Sequence, residues 1–266
     1  CQEAPTVGAS PAGMLRVAAT PRSIVPWWGR MEGMDARAHI DDLAAFITAS
    51  PSSFHAAAEA GRRLAAAGFA EQREADAFAV APGGGYLIRD GAIVAWRCPA
   101  HVDPARSGFR IVGAHTDSPG FTLKPRPTSS QLGWQQAGME VYGGPLPNAW
   151  LDREFGLAGR VVTKSGEQRL VSTPPWLRIP QLAPHLDRSL NDNLHLDRQA
   201  HLLPVLSLGP TDVLAAVAVH AGLAPDDIDG HDLFAAVSQP PEVIGVGGEF
   251  LASGRLDNLS SVHAGL

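Results

Sequence analysis

Cysteine is nearly missing from this 266-residue sequence, occurring only as Cys1 and Cys98. Neither lies in a CxxC or Cys/His spacing, so neither a disulfide framework nor a thiolate metal site is expected. No apolar run approaches the roughly 20 residues a membrane helix needs, which argues against a membrane span. Basic stripes are absent, and acidic side chains outnumber basic ones by 27 to 21 for a formal charge of −6. Nucleic acid is therefore not an expected partner. There is no GxSxG nucleophile elbow, and neither cysteine has a triad context. Gly143-Gly144 and Gly245-Val246-Gly247-Gly248 lack the strand-to-helix setting of a phosphate loop and read as flexible backbone. No internal repeat is visible.

What is present suits a globular chain. The apolar fraction of 45% is enough for a sizeable core, and the length fits one large domain or two modest ones. Residues 1–33 are rich in Ala, Pro, Gly and Ser and hold no sustained period; they read as a disordered leader or a non-native upstream extension. A lipid-modified Cys1 with a flexible tether is a minor alternative. The sequence starts with Cys and stops at Leu266 in what reads as the first turns of a helix, so a fragment is expected.

From residue 34 the pattern sharpens. Residues 36–49 carry apolar side chains at helical spacing, and Ser50-Pro51 stops the helix. Ser52 or Ser53 can cap a second helix over 54–67, with Gly68 past its end. Residues 85–88 and 92–96 flank Arg89-Asp90-Gly91 as a hairpin, and Arg110–Ala114 reads as a third, buried strand. Lys124-Pro125-Arg126-Pro127 reads as an extended linker. Beyond it, strands are expected over 132–142, 156–163, 168–172 and 176–179, with a turn at Lys164-Ser165-Gly166-Glu167. Helices are expected over 196–206 and 211–223, and strands over 231–238 and 243–251. The texture is β-rich from about 120 to 245.

Three places hold residues suited to chemistry. The first, Gly113-Ala-His115-Thr-Asp117-Ser-Pro-Gly, puts a histidine at a strand end and an aspartate two residues on. A neutral imidazole is a good zinc ligand, and the aspartate can hold the other ring nitrogen. Taken alone, the same residues make an ordinary turn. Asp257-Asn258 is the second: a carboxylate able to bridge two cations, or simply the cap of a helix near Leu259. The third is His195, Asp197 and His201, metal-compatible in spacing but equally a solvated helix face.

Read in order, GAHTDSPG (113–120), YGGPLPNAWLDREFGLAGRVV (142–162), LRIPQLAPHLDRSLNDNLH (177–195) and GRLDNL (254–259) resemble the M18 aminopeptidases, the aspartyl aminopeptidase family. SPSSFHAAAEAGRRLAAAGF (50–69) resembles that family's N-terminal part. The resemblance implies an α/β fold in which a zinc-exopeptidase-like catalytic domain, incomplete in this chain, is interrupted by a β-rich dimerisation domain. The divisions it implies are 34–119 catalytic, 120–245 dimerisation and 246–266 a return into the catalytic domain.

By the same resemblance the protein is a cytoplasmic dinuclear zinc aminopeptidase that removes one N-terminal residue, Asp or Glu in many members, from peptides. Two zinc ions per site are implied, with His115 and Asp257 as metal ligands and Asp257 bridging. Asp117 is the catalytic-centre residue that orients His115. His185 matches a histidine that binds substrate in a neighbouring subunit's site, so dimers and a larger homo-oligomer are implied. His195, Asp197 and His201 match no family ligand. In the family the general-base Glu, a ligand Glu, a further Asp and a final His follow the LDN motif. This chain by itself is therefore expected to be inactive and to hold zinc weakly. The reading from a different class is a non-catalytic oligomerisation or binding module.

Overall fold

The computed structural model describes residues 35–77, 82–101, 103, 106 and 108–266; the leader expected over 1–33 lies outside them. Two helices come first, α1 (Ala36–Ala49) and α2 (Ser53–Ala66). α1 buries Leu43, Phe46 and Ile47, whose spacing of three and four puts them on one face. The Ser52 hydroxyl accepts the His55 N–H and caps α2. α2 turns small residues inward, including Ala56, Ala60 and Gly61. They let it lie close to a hairpin: a Cβ on Gly61 would sit 2.7 Å from Ile88 Cδ1.

That hairpin pairs β2 (Gly83–Arg89) with β3 (Ala92–Cys98), and β1 (Ala70–Glu71) adds in parallel to β2. Asp90, at φ 53, makes the turn with Gly91.

His55 gives this region a pH dependence. Burial pushes its imidazole down to about 4. The unfolded chain therefore takes up the proton first as pH falls below about 6.5, so stability is full above that pH and declines toward pH 4. After allowance for partial exposure the loss is about 2 kcal/mol. Urea unfolding at pH 7 and pH 4 is expected to show a larger loss for the wild type than for His55→Gln; equal losses would refute this assignment.

The middle of the chain forms a closed β-barrel. Its strands are β4 (Gly120–Gln131), β5 (Trp134–Tyr142), β6 (Glu154–Thr163), β7 (Gln168–Ser172), β8 (Leu177–Arg178), β9 (Val205–Leu208) and β10 (Ile228–Val237). The order is β10-β4-β5-β9-β8-β6-β7, and β10 also pairs with β6, which closes the ring. Phe121, Leu123, Met139, Phe155, Leu157, Val161 and Leu233 fill it, joined by Val213 and Val217 of α3 (Val213–His220).

After a small hairpin of β11 (Glu242–Ile244) and β12 (Phe250–Ala252), the chain enters α4 (Leu256–Gly265). Leu259 and Val262 of α4 share a second apolar cluster with Leu43, Phe46, Ile47, Ala56 and Ala60. His263 Nε2 meets Asp42 Oδ2 at 2.7 Å beside this cluster. That contact, with the Arg63 guanidinium, holds the Asp42 carboxyl below the usual range.

Several expected elements take other forms. Arg110–Ala114 belongs to no strand, and Phe109, Ile111 and Val112 are 82–87% exposed. A buried strand needs neighbours to take its backbone groups, and among the described residues none pairs with this one.

Residues 196–206 form no helix. The Asp197 carboxylate accepts from the Gln199 and Ala200 amides and closes a turn, and Pro204 then admits only extended backbone into β9. Lys124–Pro127 is not a linker but the unpaired bulge inside β4, where register slips between Leu123 and Thr128; a bulge is where a strand tolerates proline. The strand expected over 132–142 starts at Trp134, because Leu132 (φ 51) and Gly133 (φ 82) form a two-residue hairpin turn. The strand expected over 243–251 is broken by Gly245 (φ 102) and Gly248 (φ 71) into β11 and β12.

Candidate metal centre

His115 leaves the unpaired 109–114 segment with its position set by its neighbours. The Thr116 hydroxyl donates to the Gly91 carbonyl at 2.6 Å, tying the segment to the β2–β3 turn. Ser118 Oγ donates to the Asp257 carbonyl at 3.0 Å, across 139 positions of sequence. Asp257 lies in the first turn of α4, where the helix is kinked: Asp257 and Asn258 have non-helical torsions, and the peptide between them is cis. The cap position falls on Arg255, which makes no side-chain cap bond. The Asp257 carboxylate is thus not spent on capping and turns instead toward His115.

The imidazole sits between two carboxylates. Its Nε2 lies 3.1 Å from Asp257 Oδ1. Its Nδ1 lies 3.0 Å from the Asp117 carbonyl oxygen and 3.3 Å from Asp117 Oδ1. Tyr142, the last residue of β5, donates its hydroxyl to Asp117 Oδ2 at 2.8 Å; this bond pushes the phenol's pKa up. The cluster borders a cleft of about 360 Å³ lined in part by Ser52, Tyr142, Arg153, Phe234 and Arg255. Burial pulls the Arg255 guanidinium down, and its Nη2 donates to the Ile47 carbonyl at the end of α1.

Both imidazole nitrogens therefore face oxygen acceptors. A neutral imidazole carries one N–H and satisfies only one of them. With Nδ1–H given to Asp117, a cation between Nε2 and Asp257 Oδ1 satisfies the other. Zinc bonds of about 2.0–2.1 Å at tetrahedral angles hold two donors about 3.3 Å apart, close to the 3.1 Å separation found. The residue types and spacing fit zinc, but they amount to two donors. Among the described residues no group of three or more His, Cys, Asp or Glu is placed to hold a metal.

Other predicted residues lie elsewhere. His185 is exposed on a turn and does not line the cleft. Asp197 and His201 are engaged with each other and with backbone amides, so the third sequence cluster is a turn. Sequence reading did not single out Tyr142, Ser118 or Arg255. Ser118 and Tyr142 stand inside the motif stretches, yet no local pattern announces contacts so distant in sequence.

The cluster's motifs carry a family signature. The profile described as "Aminopeptidase I zinc metalloprotease (M18)" matches residues 46–266. The chain belongs to the M18 family. This M18 chain is 48% identical over 235 residues to a probable M18 family aminopeptidase 2 of Streptomyces avermitilis, covering 86% of this chain and 54% of that one. Among solved structures it resembles a chain of the Ape4 and Nbr1 complex, with a TM-score of 0.80 at 29% identity, over 85% of this chain and 49% of that one. It also resembles the S. cerevisiae mApe1 dodecamer, with a TM-score of 0.65 at 26% identity, over 82% and 52%. The M18 chain spans about half the length of the curated relatives it matches. No helix among its described residues is long and apolar enough to cross a membrane.

Proposed function

We propose that this chain supplies part of a dinuclear zinc centre that removes the N-terminal residue of peptides. The reading is carried by one observation: His115 and Asp257, remote in sequence, meet at 3.1 Å with Asp117 behind the imidazole. His115 and Asp257 would hold the metal, and Asp257, with a second carboxylate oxygen, would be the residue shared between two ions. Asp117 takes the Nδ1–H of His115 and leaves Nε2 facing Asp257. Ser118 steadies the backbone that carries Asp257. Zinc bound there supplies Lewis acidity toward a peptide carbonyl and brings water's acidity toward neutral pH.

The finer parts of the reading are also proposals. Asp or Glu as the preferred first residue is supported by Arg153 and Arg255 in the cleft lining. Residues 34–119 and 246–266 form the catalytic portion and 120–245 the self-association portion; the two separate apolar clusters support that division. His185 reaching a neighbouring subunit in a dimer within a larger homo-oligomer is supported by its exposure away from its own cleft. A cytoplasmic location fits the reduced cysteine usage.

The test is release of the first residue from aminoacyl-p-nitroanilides and free peptides. This chain by itself is expected to be inactive; a protein of the relatives' full length that carries it is expected to hydrolyse them, to lose activity with chelator, to regain it with zinc, and to leave N-terminally blocked peptides intact. Chelator-resistant hydrolysis, or cleavage of blocked peptides, would overturn the proposal. A second reading, a self-associating chain without catalysis, is favoured by the lack of a group of three or more metal donors among the described residues. It predicts a stable oligomer by analytical ultracentrifugation with no peptide hydrolysis.

A further inference from the structure

We propose that Tyr142 is a positioning residue for the metal centre, fixing the Asp117 carboxylate and, through it, the imidazole of His115. The inference rests on the metal-centre reading above and deepens it. The two carboxylate oxygens of Asp117 have different duties: Oδ1 stands 3.3 Å from His115 Nδ1, beside the Asp117 carbonyl oxygen at 3.0 Å from the same nitrogen, and Oδ2 accepts the Tyr142 hydroxyl at 2.8 Å. A carboxylate held at one oxygen cannot rotate freely, so the other keeps its station against the ring.

Tyr142 is itself well held. It pairs across the sheet with Gly120, where β4 starts just after the His115–Asp117 segment. Its ring packs edge-on to Phe234 of β10, with centroids 5.2 Å apart at 73°. A hydroxyl on a flexible side chain would add little order; this one is anchored in a closed barrel. Metal-bound histidines depend on such supports, and their loss costs about 10–100-fold in metal affinity. The barrel thereby takes part in the metal site and is more than a spacer between its two sequence motifs.

The experiment is zinc affinity of the 266-residue chain, measured by competition with a chromophoric chelator, for wild type, Tyr142→Phe, Asp117→Ala, the double variant and His115→Ala. Tyr142→Phe keeps the ring packing and is expected to weaken zinc about tenfold. In the Asp117→Ala background the same change is expected to have no further effect, since Tyr142 acts through Asp117. Equal affinity of Tyr142→Phe and wild type, or a full tenfold effect without Asp117, would overturn the inference. If Tyr142→Phe keeps its affinity while His115→Ala loses it, the positioning role alone falls. If His115→Ala binds as wild type does, the metal-centre reading falls and takes the inference with it.

A second measurement needs no substitution. The chain has only two tyrosines, Tyr86 and Tyr142. With 3-fluorotyrosine incorporated, saturating zinc is expected to move the Tyr142 ¹⁹F resonance and leave that of Tyr86, on β2, in place. An unmoved Tyr142 resonance would overturn the inference even if Tyr142→Phe failed to fold.

Discussion

His115→Ala is expected to lower the zinc affinity of this chain by at least about 100-fold, beyond the 10–100-fold typical of losing a supporting residue. The reason is the donor count. His115 and Asp257 are the two side chains facing each other at 3.1 Å, and among the described residues no third donor joins them in a ligand group. Removing the imidazole leaves a lone, largely exposed carboxylate, and a single monodentate oxygen cannot displace enough of zinc's hydration shell.

Asp257→Ala is expected to act as strongly for the converse reason. Asp117→Asn removes only the charge behind the ring and is expected to cost about tenfold. The order of the three effects is the discriminating result. All titrations belong at one fixed pH, because metal affinity depends on pH. A His115→Ala chain that binds zinc like wild type would move the centre elsewhere. Tight binding of two zinc ions by the wild-type chain would contradict the donor count itself.

The largest effect on folding is expected from a single methyl group at Gly159. This glycine lies on β6 opposite Leu233 of β10, at the pairing that closes the barrel. A Cβ there would stand 1.9 Å from the Asp232 carbonyl oxygen and 3.1 Å from the Leu233 Cα. Both obstacles are backbone, so no side chain can swing aside; the strands must separate. β6 also pairs with β7 and β8 and carries the buried Phe155, Leu157 and Val161, so its displacement spreads through the core. Gly159→Ala is expected to cost about 3 kcal/mol or more. Urea unfolding followed by tryptophan fluorescence reads this directly, since Trp134, Trp150 and Trp176 lie in the barrel sequence. Gly230→Ala is the control: on the same strand pair, its nearest neighbour would be Val162 Cβ at 4.0 Å, and little loss is expected. Equal behaviour of the two variants would mean that β10 does not close on β6 as described.

Much of this protein is legible along the chain. The two leading helices, the Asp90-Gly91 hairpin and the turn at Gly166 follow from periodicity and local turn chemistry, which depend on neighbours a few residues away. The candidate ligands were legible too, because a histidine followed by an aspartate and an isolated Asp-Asn ahead of a helix are local patterns with a chemical use. What one-dimensional reading could not settle was whether those patterns were spent locally. Asp197 and Asp257 look alike in sequence. Asp197 turned out to accept amides of its own turn, whereas Asp257 is turned by a kinked helix start toward a histidine that precedes the whole barrel in sequence.

The errors share one cause. Residues 109–114 have strand character, but a strand is a relation between segments, and no described partner pairs with this one. Lys124–Pro127 read as a linker because prolines break ladders, yet a bulge excuses them within β4. Sequence by itself determined which residue types were available for zinc and which short elements would form. Only the tertiary structure decided that His115, Asp117, Tyr142 and Asp257 meet, because their approach depends on the barrel's closure and on α4 packing back onto α1 and α2. Those are long-range burial events, and no local propensity encodes them.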